Sequence, residues 1–198
     1  MRLEDLPVPE TVATRSAEEV LRRYAGPALV NHAVRSALFA AAYGRLTGVA
    51  YDPELLQVAG LLHDLGLEAP FDSHRLPFEV AGGELAWVFG AGLGWPVERR
   101  QRLADIVVRH MWRDVDPAVD PEGHLLERAT SLDISGRRLE EWPASLRAEV
   151  LARWPRLDLA ERFTARFADQ AARKPESTAA VAMRSGLGER IAANPLKA

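Results

Sequence analysis

Two histidines and two aspartates lie at positions from which they could share one metal ion. His63 and Asp64 are adjacent in VAGLLHDLGL, His32 lies in the earlier stretch NHAVR, and Asp133 lies in SLDISG. Imidazole nitrogens and carboxylate oxygens bind divalent metals, and these four groups would form a complete set of protein ligands. A metal in such a set lowers the pKa of a bound water toward neutrality, which would make hydrolysis or hydration possible.

Each of these residues also has an ordinary structural explanation when it is taken alone. The adjacent histidine and aspartate could cap a helix end, and His32 could be a hydrogen-bonded histidine at a helix start. Asp133 could form an ion pair with an arginine such as Arg128 or Arg137. Because a buried carboxylate is costly unless it is paired or bound to a cation, the four residues together favour a metal site.

The elements that must position these residues are predicted to be helices. Apolar residues recur at helical spacing along nearly the whole chain, and the alternating runs typical of strands are missing. One helix, from about 27 to 46, carries His32, and another, from about 122 to 134, carries Asp133. A helix capped by Asp52 and stopped by Gly66 carries the histidine and aspartate pair in its last turn. Adjacent side chains can reach one ion there, because the ion can sit close to the helix end.

The predicted fold class is all-α, with one domain over residues 1–198. The chain is 47% hydrophobic, which is enough for one sizeable core, and no repeat or long linker divides it. We expect an N-terminal arm over 1–15, a metal-binding core over 28–137 and additional C-terminal helices over 157–191. The last region contains two amphipathic stretches, 158–173 and 177–191, which are expected to pad the same core.

Composition excludes several classes of partner. The formal net charge is −3 and no basic stripe is present, so nucleic acid and anionic lipid are not expected partners. The chain has no cysteine, which excludes disulfides and thiolate metal sites. The N-terminus does not resemble a signal peptide and no apolar run is long enough to span a bilayer, so we expect a soluble cytoplasmic protein that acts on a small molecule.

The order of these motifs resembles the HD-domain superfamily of metal-dependent hydrolases. The segments NHAVRSALFA, LLQVAGLLHDLGL, FEVAGGELA, IVVRHMW and LDISG are similar to the cyanamide hydratase-like branch over roughly 28 to 137. The resemblance implies an HD-domain helical bundle with the metal between helices, held by His32, His63, Asp64 and Asp133. It favours zinc or iron as the single divalent ion, while manganese and nickel also suit this ligand set.

Further residues are assigned to catalysis and substrate binding. His110 closes an apolar helical stripe, where the family often has a histidine that faces the substrate or joins the metal; a hydrogen-bonded core histidine is the alternative. Glu79 in FEVAGG matches the family pattern, although a glutamate in a first turn also suits the helix dipole. Asp64, His110 and Glu79 are assigned to proton transfer, and Arg35 and Asn31 to substrate binding.

Other conspicuous side chains are left outside the predicted site. His74 and His124 are expected to be surface histidines. Ala81 replaces an acidic residue that the resemblance leads us to expect, which leaves the substrate open. Four large side chains could line a pocket wall or pack in the core: Trp87, Phe89, Met111 and Trp112.

Three functions remain open at this stage. A hydratase would add water to a small nitrile-like or cyanamide-like substrate, with nothing released. A phosphohydrolase would need cationic groups for the phosphoryl oxygens, for which Arg35, Arg75 and Arg109 are candidates. A non-catalytic HD module would only bind a ligand or partner. The segment HDLGLEAPFD has acidic residues and no lysine, which favours a small, uncharged or weakly charged substrate.

Overall fold

The computed structural model describes residues 1–196, and within that range the chain is all-α, as predicted. No helix in this range is long and apolar enough to cross a membrane. Short 3-10 turns cover Leu3–Asp5, Leu65–Leu67 and Leu139–Glu141. The α-helices are α1 (Val12–Tyr24), α2 (Pro27–Thr47), α3 (Pro53–Leu62), α4 (Phe78–Gly92), α5 (Val97–Arg109), α6 (Pro121–Ser135), α7 (Ala144–Arg153), α8 (Leu159–Arg173), α9 (Thr178–Arg184) and α10 (Leu187–Ala192).

Helix α2 is central to the fold, because it is buried over most of its length. It starts with Pro27 in its first turn and ends at Gly48, whose φ of 73° places it in the left-handed conformation that closes helices. Helix α3 crosses α2 at Gly60, where an added Cβ would lie 2.8 Å from the Cβ of Ala37. A glycine facing an alanine therefore brings the two helices that flank the predicted site into close contact.

Helix α3 ends just before the histidine and aspartate pair. Asp52 caps its start by accepting a hydrogen bond from the backbone N–H of Leu55 at 3.0 Å. His63 keeps a helical backbone, with φ −56° and ψ −34°, whereas Asp64 leaves it with φ −102° and ψ 3°. The pair was predicted to lie in the last turn of this helix, and it lies directly after that turn.

The segment after this pair packs directly against the start of α4. A Cβ added to Gly66 would lie 2.0 Å from the carbonyl oxygen of Phe78 and 2.9 Å from the backbone nitrogen of Gly82. No other residue type fits between these backbone atoms without displacing α4. Gly66 therefore sets the approach of α4 to the predicted site.

The apolar residues form two clusters. The larger one joins α1, α2, α3, α5, α6 and α7, and it contains the fully buried Trp142, whose ring stacks on Tyr43 with centroids 4.8 Å apart. The second one joins the C-terminal helices to Phe78 and to the ends of α2 and α6. The C-terminal helices were expected to pad the same core. They build a separate cluster because their aromatic residues meet the helix ends near the predicted site.

The C-terminal region also differs from prediction in its helix count. The stretch 177–191 was predicted as one amphipathic segment, but it folds as α9 and α10, which are separated at Gly186 with φ 81°. Helix α8 matches its predicted range to within one residue. It is tied to the segment after the histidine and aspartate pair, since Arg166 contacts the carboxylate of Glu68 at 3.0 Å and Lys174 contacts that of Asp72 at 3.0 Å.

Candidate metal site

Three side chains converge on one buried point between α2 and the end of α3. The Nε2 atoms of His32 and His63 are 3.2 Å apart, and each lies 3.2 Å from Oδ2 of Asp64. Both histidines are fully buried, and the aspartate is 3% exposed. In the described part of the chain these residues form the one group of ligating side chains close enough to hold a single metal ion. We call His32, His63 and Asp64 the converging group.

The hydrogen bonds of the two histidines determine which nitrogen faces this point. Nδ1 of His32 lies 2.7 Å from Oδ2 of Asp133, and Nδ1 of His63 lies 2.8 Å from the carbonyl oxygen of Gly60. Since a carboxylate and a carbonyl oxygen only accept, each Nδ1 must carry the proton. In the neutral imidazoles both Nε2 atoms then present lone pairs, which cannot hydrogen-bond to each other. A cation between the two nitrogens would bind both lone pairs and remove their repulsion.

Asp64 adds a negative charge that lacks ordinary compensation. Neither of its oxygens accepts a hydrogen bond of normal geometry, and neither forms an ion pair with arginine or lysine, within residues 1–196. Burial would raise the pKa of this carboxyl, but the imidazoles of His63, His110 and His32 hold that pKa well below its ordinary value. An ionised buried carboxylate beside two imidazole lone pairs is a donor set that fits a divalent cation.

The two histidines differ in their affinity for protons. Burial lowers the pKa of His63, which keeps its ring neutral. Burial also disfavours a charged His32, yet its hydrogen bond to Asp133 and the nearby carboxylate of Asp64 raise its pKa above the ordinary value. A proton and a metal would therefore compete for Nε2 of His32.

Asp133 lies on the far side of His32 from the three converging atoms. Arg35 binds both of its oxygens, with Nε and Nη2 each 2.8 Å from the carboxylate. Burial would raise the pKa of Asp133, but the Arg35 guanidinium and His32 hold it far below its ordinary value. An arginine pair was the alternative predicted for this residue, but with Arg128 or Arg137. Its role as a fourth ligand stays a prediction, because its carboxylate faces Nδ1 of His32 and not Nε2.

Arg35 and Asn31 were predicted to bind substrate, but both side chains form hydrogen bonds within the protein, Arg35 fully buried and Asn31 partly buried. Arg35 is fully buried, and besides Asp133 it donates to the carbonyl oxygens of Trp154 and Pro155 at 3.0 and 3.2 Å. Asn31 donates to the same Pro155 carbonyl at 2.9 Å. Both side chains thus join α2 to the end of α7. Their contact with a substrate stays a prediction that these bonds do not support.

His110 reaches the converging group from the end of α5. Its Nε2 lies 3.5 Å from Oδ1 of Asp64, and its ring packs edge-on against His63 with centroids 4.8 Å apart. Its Nδ1 bonds to the carbonyl oxygen of Val107, so Nε2 of the neutral ring presents a lone pair here too. His110 is therefore placed either to exchange protons or to ligate the ion.

Glu79 lies at the start of α4 and is 3% exposed. One of its carboxylate oxygens accepts a hydrogen bond from the hydroxyl of Thr178 at the start of α9, and the other oxygen has no partner in the described chain. Thr178 lines the cavity described next, whereas Glu79 does not. Glu79 is therefore behind the cavity wall, and its catalytic role stays a prediction.

A cavity of about 1460 Å³ opens from the converging group to the surface. Its inner end contains the site histidines and Asp64. Its apolar sides come from Met111 and Trp112 after α5, from Ile134, and from the C-terminal helices, which contribute Phe163 and Phe167. Four arginines lie along the rest of its lining: Arg113, Arg137, Arg138 and Arg190.

The cavity is lined by two residues, Phe163 and Phe167, that were not predicted from the sequence to belong to the site. Phe163 and Phe167 lie on the apolar face of the predicted stretch 158–173, but that pattern does not tell which surface they cover. Met111 and Trp112, left open between core and pocket, do line the cavity, whereas Phe89 packs on the larger apolar cluster. Trp87, the fourth of these side chains, lies beneath the guanidinium of Arg100.

Other predicted residues lie away from the site. His74 is exposed, as expected, but the surface prediction for His124 is wrong, because this residue is 7% exposed and bonds to the carbonyl oxygen of Val115 at 2.7 Å. Arg75 is exposed on a loop, and Arg109 pairs with Asp120 at 2.7 Å. Neither of these arginines lines the cavity.

Comparison with known proteins gives one family match. The family model described as HD domain matches residues 29–160, two-thirds of the chain. A comparison with curated proteins finds no match. The matched range contains all of the converging residues and ends where α8 begins.

Proposed function

The chain belongs to the HD domain family, and on that premise we propose that it is a metal-dependent enzyme that directs water at a small-molecule substrate. The buried group of His32, His63 and Asp64 is the observation that carries this proposal. Their converging atoms offer lone pairs and one negative charge, and within residues 1–196 no arginine and no hydrogen bond of normal geometry satisfies that charge. Such a group is costly to bury without a cation.

In this proposal one divalent ion is held by His32, His63 and Asp64. Zinc or iron suits the mixed imidazole and carboxylate set, and manganese or nickel is also compatible. When bound, such an ion is a Lewis acid that makes water a nucleophile near neutral pH. Asp133 acts through His32, because its hydrogen bond keeps the Nδ1 proton in place and orients the ring. Arg35 in turn fixes the Asp133 carboxylate from both oxygens.

The proposed proton-transfer residue is His110. The hydrogen bond from Nδ1 to the Val107 carbonyl leaves Nε2 as an acceptor on the cavity side, 3.5 Å from Asp64. A neutral imidazole there can take a proton from water and return it to the substrate. Asp64, held ionised by its neighbours, stabilises the charged imidazole that forms. Phe163 gives this end of the cavity an apolar wall, since its ring centroid lies 5.6 Å from that of His32.

The surroundings of the site favour an uncharged reacting group. No arginine or lysine in the described range contacts Asp64, and the nearest buried guanidinium, that of Arg35, is occupied by Asp133 and backbone carbonyls. A transferring phosphoryl group needs cationic partners, whereas a nitrile or cyanamide group does not. Addition of water across the carbon–nitrogen triple bond of such a group is therefore the reaction that we favour.

A phosphohydrolase is the second candidate, and the arginine side chains along the cavity support it. The cavity that contains the converging group is also lined by Arg113, Arg137 and Arg138, which could bind an anionic substrate. The arginines predicted for this role, Arg75 and Arg109, lie outside the cavity lining. If the phosphoryl group reacted at the site, these other arginines would be its cationic partners.

Elemental analysis followed by two parallel assays tests the proposal. The purified protein is loaded with zinc or iron, and cyanamide hydration and phosphate release from 4-nitrophenyl phosphate are measured on the same sample. We expect about one ion per chain, with urea formed and no phosphate released. Phosphate release alone would favour the second candidate. An intact chain that binds no divalent ion under any loading condition would overturn the metal-dependent function. A protein that binds metal but turns nothing over, nitriles with larger substituents included, would be a binding module.

The His63→Ala variant supplies the control for this experiment. It removes one converging nitrogen while the rest of the chain is unchanged, so metal content and turnover should be lost together. Turnover that persists in this variant would show that the activity comes from a contaminant or from another site.

A further inference from the structure

The walls of the cavity come from two different parts of the chain. The converging group lies within the range that matches the HD domain, residues 29–160. The opposite wall comes from α8, α9 and α10, which lie almost wholly beyond that range. The family match therefore does not describe this wall, and its role is inferred from the residues that form it.

The C-terminal wall begins next to the candidate metal site and is apolar. Phe163 and Phe167 stack with ring centroids 4.6 Å apart at an angle of 26°, and Phe163 packs edge-on against His32. Val181 and Leu187 from α9 and α10 continue this surface. A three-atom substrate would leave most of a cavity of about 1460 Å³ unfilled. The wall is suited to a hydrocarbon or aromatic body attached to the reacting group.

The arginines of the cavity are only partly neutralised. Arg137 and Arg138 contact the same oxygen of the buried Glu127, at 3.3 and 3.8 Å, and Arg128 contacts its other oxygen at 3.6 Å. Arg128 also lies 3.6 Å from Asp114 and 3.8 Å from Glu141, whereas Arg137 and Arg138 have Glu127 as their one acidic partner in the described chain. Arg113 forms no ion pair or side-chain hydrogen bond with another residue of the described chain.

Like charges are crowded at this point. Burial lowers the pKa of Arg137, and the neighbouring Arg138, Arg128 and Arg113 lower it further, against the opposing effect of Glu127. The acidic residues of the cavity outside the metal site are Asp114 and Glu176, and the former is paired with Arg128 at 3.6 Å. An oxyanion bound between the arginines would relieve their mutual repulsion.

We infer that the substrate is an amphiphilic anion, with an apolar body against Phe163 and Phe167 and a carboxylate or phosphate group near Arg113 and Arg137. Its third part, the reacting group, lies at the candidate metal site, and this part alone rests on the proposed function. The reacting end of such a substrate would lie where no arginine or lysine of the described chain contacts Asp64, and its anionic end would lie near the arginines. One molecule can therefore use both parts of the cavity. The inference also assigns recognition of the apolar body to the C-terminal helices, and recognition of the headgroup to arginines that follow α5 and α6.

Binding of simple probes tests this inference without turnover. The zinc-loaded full chain is titrated calorimetrically with 3-phenylpropionate, 2-phenylethyl phosphate, uncharged 3-phenylpropanol and acetate. We expect one of the aromatic anions to bind about ten-fold more tightly than the alcohol, because a charged hydrogen-bonded pair is worth about one decade or more in affinity. Acetate, which lacks the apolar body, should bind more weakly than either aromatic anion. The tighter of the two anions identifies the headgroup.

Three variants locate the probe. Arg113→Gln should weaken binding of the aromatic anion by about ten-fold, and it leaves no buried carboxylate unpaired. Phe163→Leu should weaken the aromatic anion and the alcohol alike. Arg15→Gln, which removes an exposed arginine of α1, is the matched control and should leave every affinity unchanged. Thermal unfolding of each variant shows that it is folded.

The opposite results would overturn the inference. If Arg113→Gln and Arg137→Gln both leave anion binding unchanged, the arginines are not the headgroup site. If binding requires zinc and is indifferent to both arginines and Phe163, the anion sits on the metal. A chain that binds no metal, yet still shows binding dependent on Arg113 and Phe163, would retain this cavity role while the proposed function fails.

Discussion

Nδ1 of His32 and Oδ2 of Asp133 are 2.7 Å apart, although 101 positions separate the two residues in the chain. The contact directs the opposite ring nitrogen, Nε2, toward His63 and Asp64. Arg35 binds both oxygens of the same carboxylate. A buried chain of hydrogen bonds thus runs from the guanidinium of Arg35 through the carboxylate of Asp133 to the imidazole of His32 at the candidate metal site. Each group in this chain holds the next in position.

Metal affinity should distinguish a converging residue from a positioning residue. His63→Ala removes a proposed ligand, so we expect bound metal to be lost. Asp133→Asn leaves the three converging groups intact but disturbs the tautomer of His32, so affinity should fall by about 10- to 100-fold. Competition titration against a chelator measures both, and His74→Ala, at an exposed histidine, is the control. Equal and complete loss in both variants would make Asp133 a direct ligand.

The buried Arg35 should contribute strongly to stability. Arg35→Met leaves the carboxylate of Asp133 buried without its main cationic partner, and it removes the side-chain donor to the Trp154 carbonyl, whereas the Pro155 carbonyl keeps its bond from Asn31. We expect a loss of about 3–5 kcal/mol in the free energy of unfolding, measured by urea denaturation. Arg15→Met, at an exposed position, should change it by less than about 0.5 kcal/mol. A loss for Arg35→Met as small as that of the control would refute this role.

Replacement of His110 should separate chemistry from metal binding. His110→Gln removes the proposed proton acceptor while His32, His63 and Asp64 remain, so metal content should be unchanged. Turnover of the substrate class found in the parallel assays should fall by about 10²- to 10⁴-fold. His74→Gln should leave both quantities unaltered. Loss of metal together with turnover would instead identify His110 as a ligand.

The close approach of α4 gives a test with an internal control. Gly66→Ala places a Cβ 2.0 Å from the Phe78 carbonyl oxygen, so α4 must shift and the protein should lose about 1–3 kcal/mol of stability. Gly92→Ala, at the end of α4, meets no atom within 4 Å and should be neutral or slightly stabilising. Thermal unfolding of the two variants compares them directly. A Gly66→Ala protein as stable as wild type would show that the backbone contact is not tight.

Asp72 links the C-terminal wall to the loop after the metal site and should make stability depend on pH. Burial would raise the pKa of its carboxyl, but Gln170, Lys174 and Arg173 lower it below its ordinary value. A depressed folded-state pKa adds stability above the unfolded pKa of about 3.9, and that stability is lost as pH falls through the folded value. Asp72→Asn should therefore lower the melting temperature at pH 7.

The measurement for Asp72 is a series of melting curves between pH 7 and pH 3. The difference between wild type and Asp72→Asn should be constant at neutral pH and shrink below about pH 4. Glu161→Gln, which removes an exposed carboxylate of α8, should show little difference at any pH. A difference for Asp72→Asn that persists unchanged at pH 3 would exclude a charge effect.

The helices that carry the site could be predicted from the sequence, because the signals that begin and end them are local. Gly48 and Gly136 end α2 and α6 with left-handed conformations, and Asp52 caps α3, as expected. The break at Gly186 was missed, since a glycine within an amphipathic stretch does not by itself show that the chain turns there. The family was also predictable, because its motifs are short and lie in a fixed order.

The sequence by itself determined an all-helical chain with His32, His63 and Asp64 near helix ends, since periodicity and caps act over a few residues. Only the tertiary structure decided which nitrogen of each imidazole faces the ion site, which arginine pairs with Asp133, and which surface Phe163 covers. Apart from the ring of His63, whose Nδ1 bonds to Gly60 three positions away, these depend on contacts between residues about a hundred or more positions apart, for which one sequence carries no local signal. Short sequence motifs thus predict the residues of the candidate metal site. The tautomer of His32 and the apolar wall of the cavity are determined by tertiary packing.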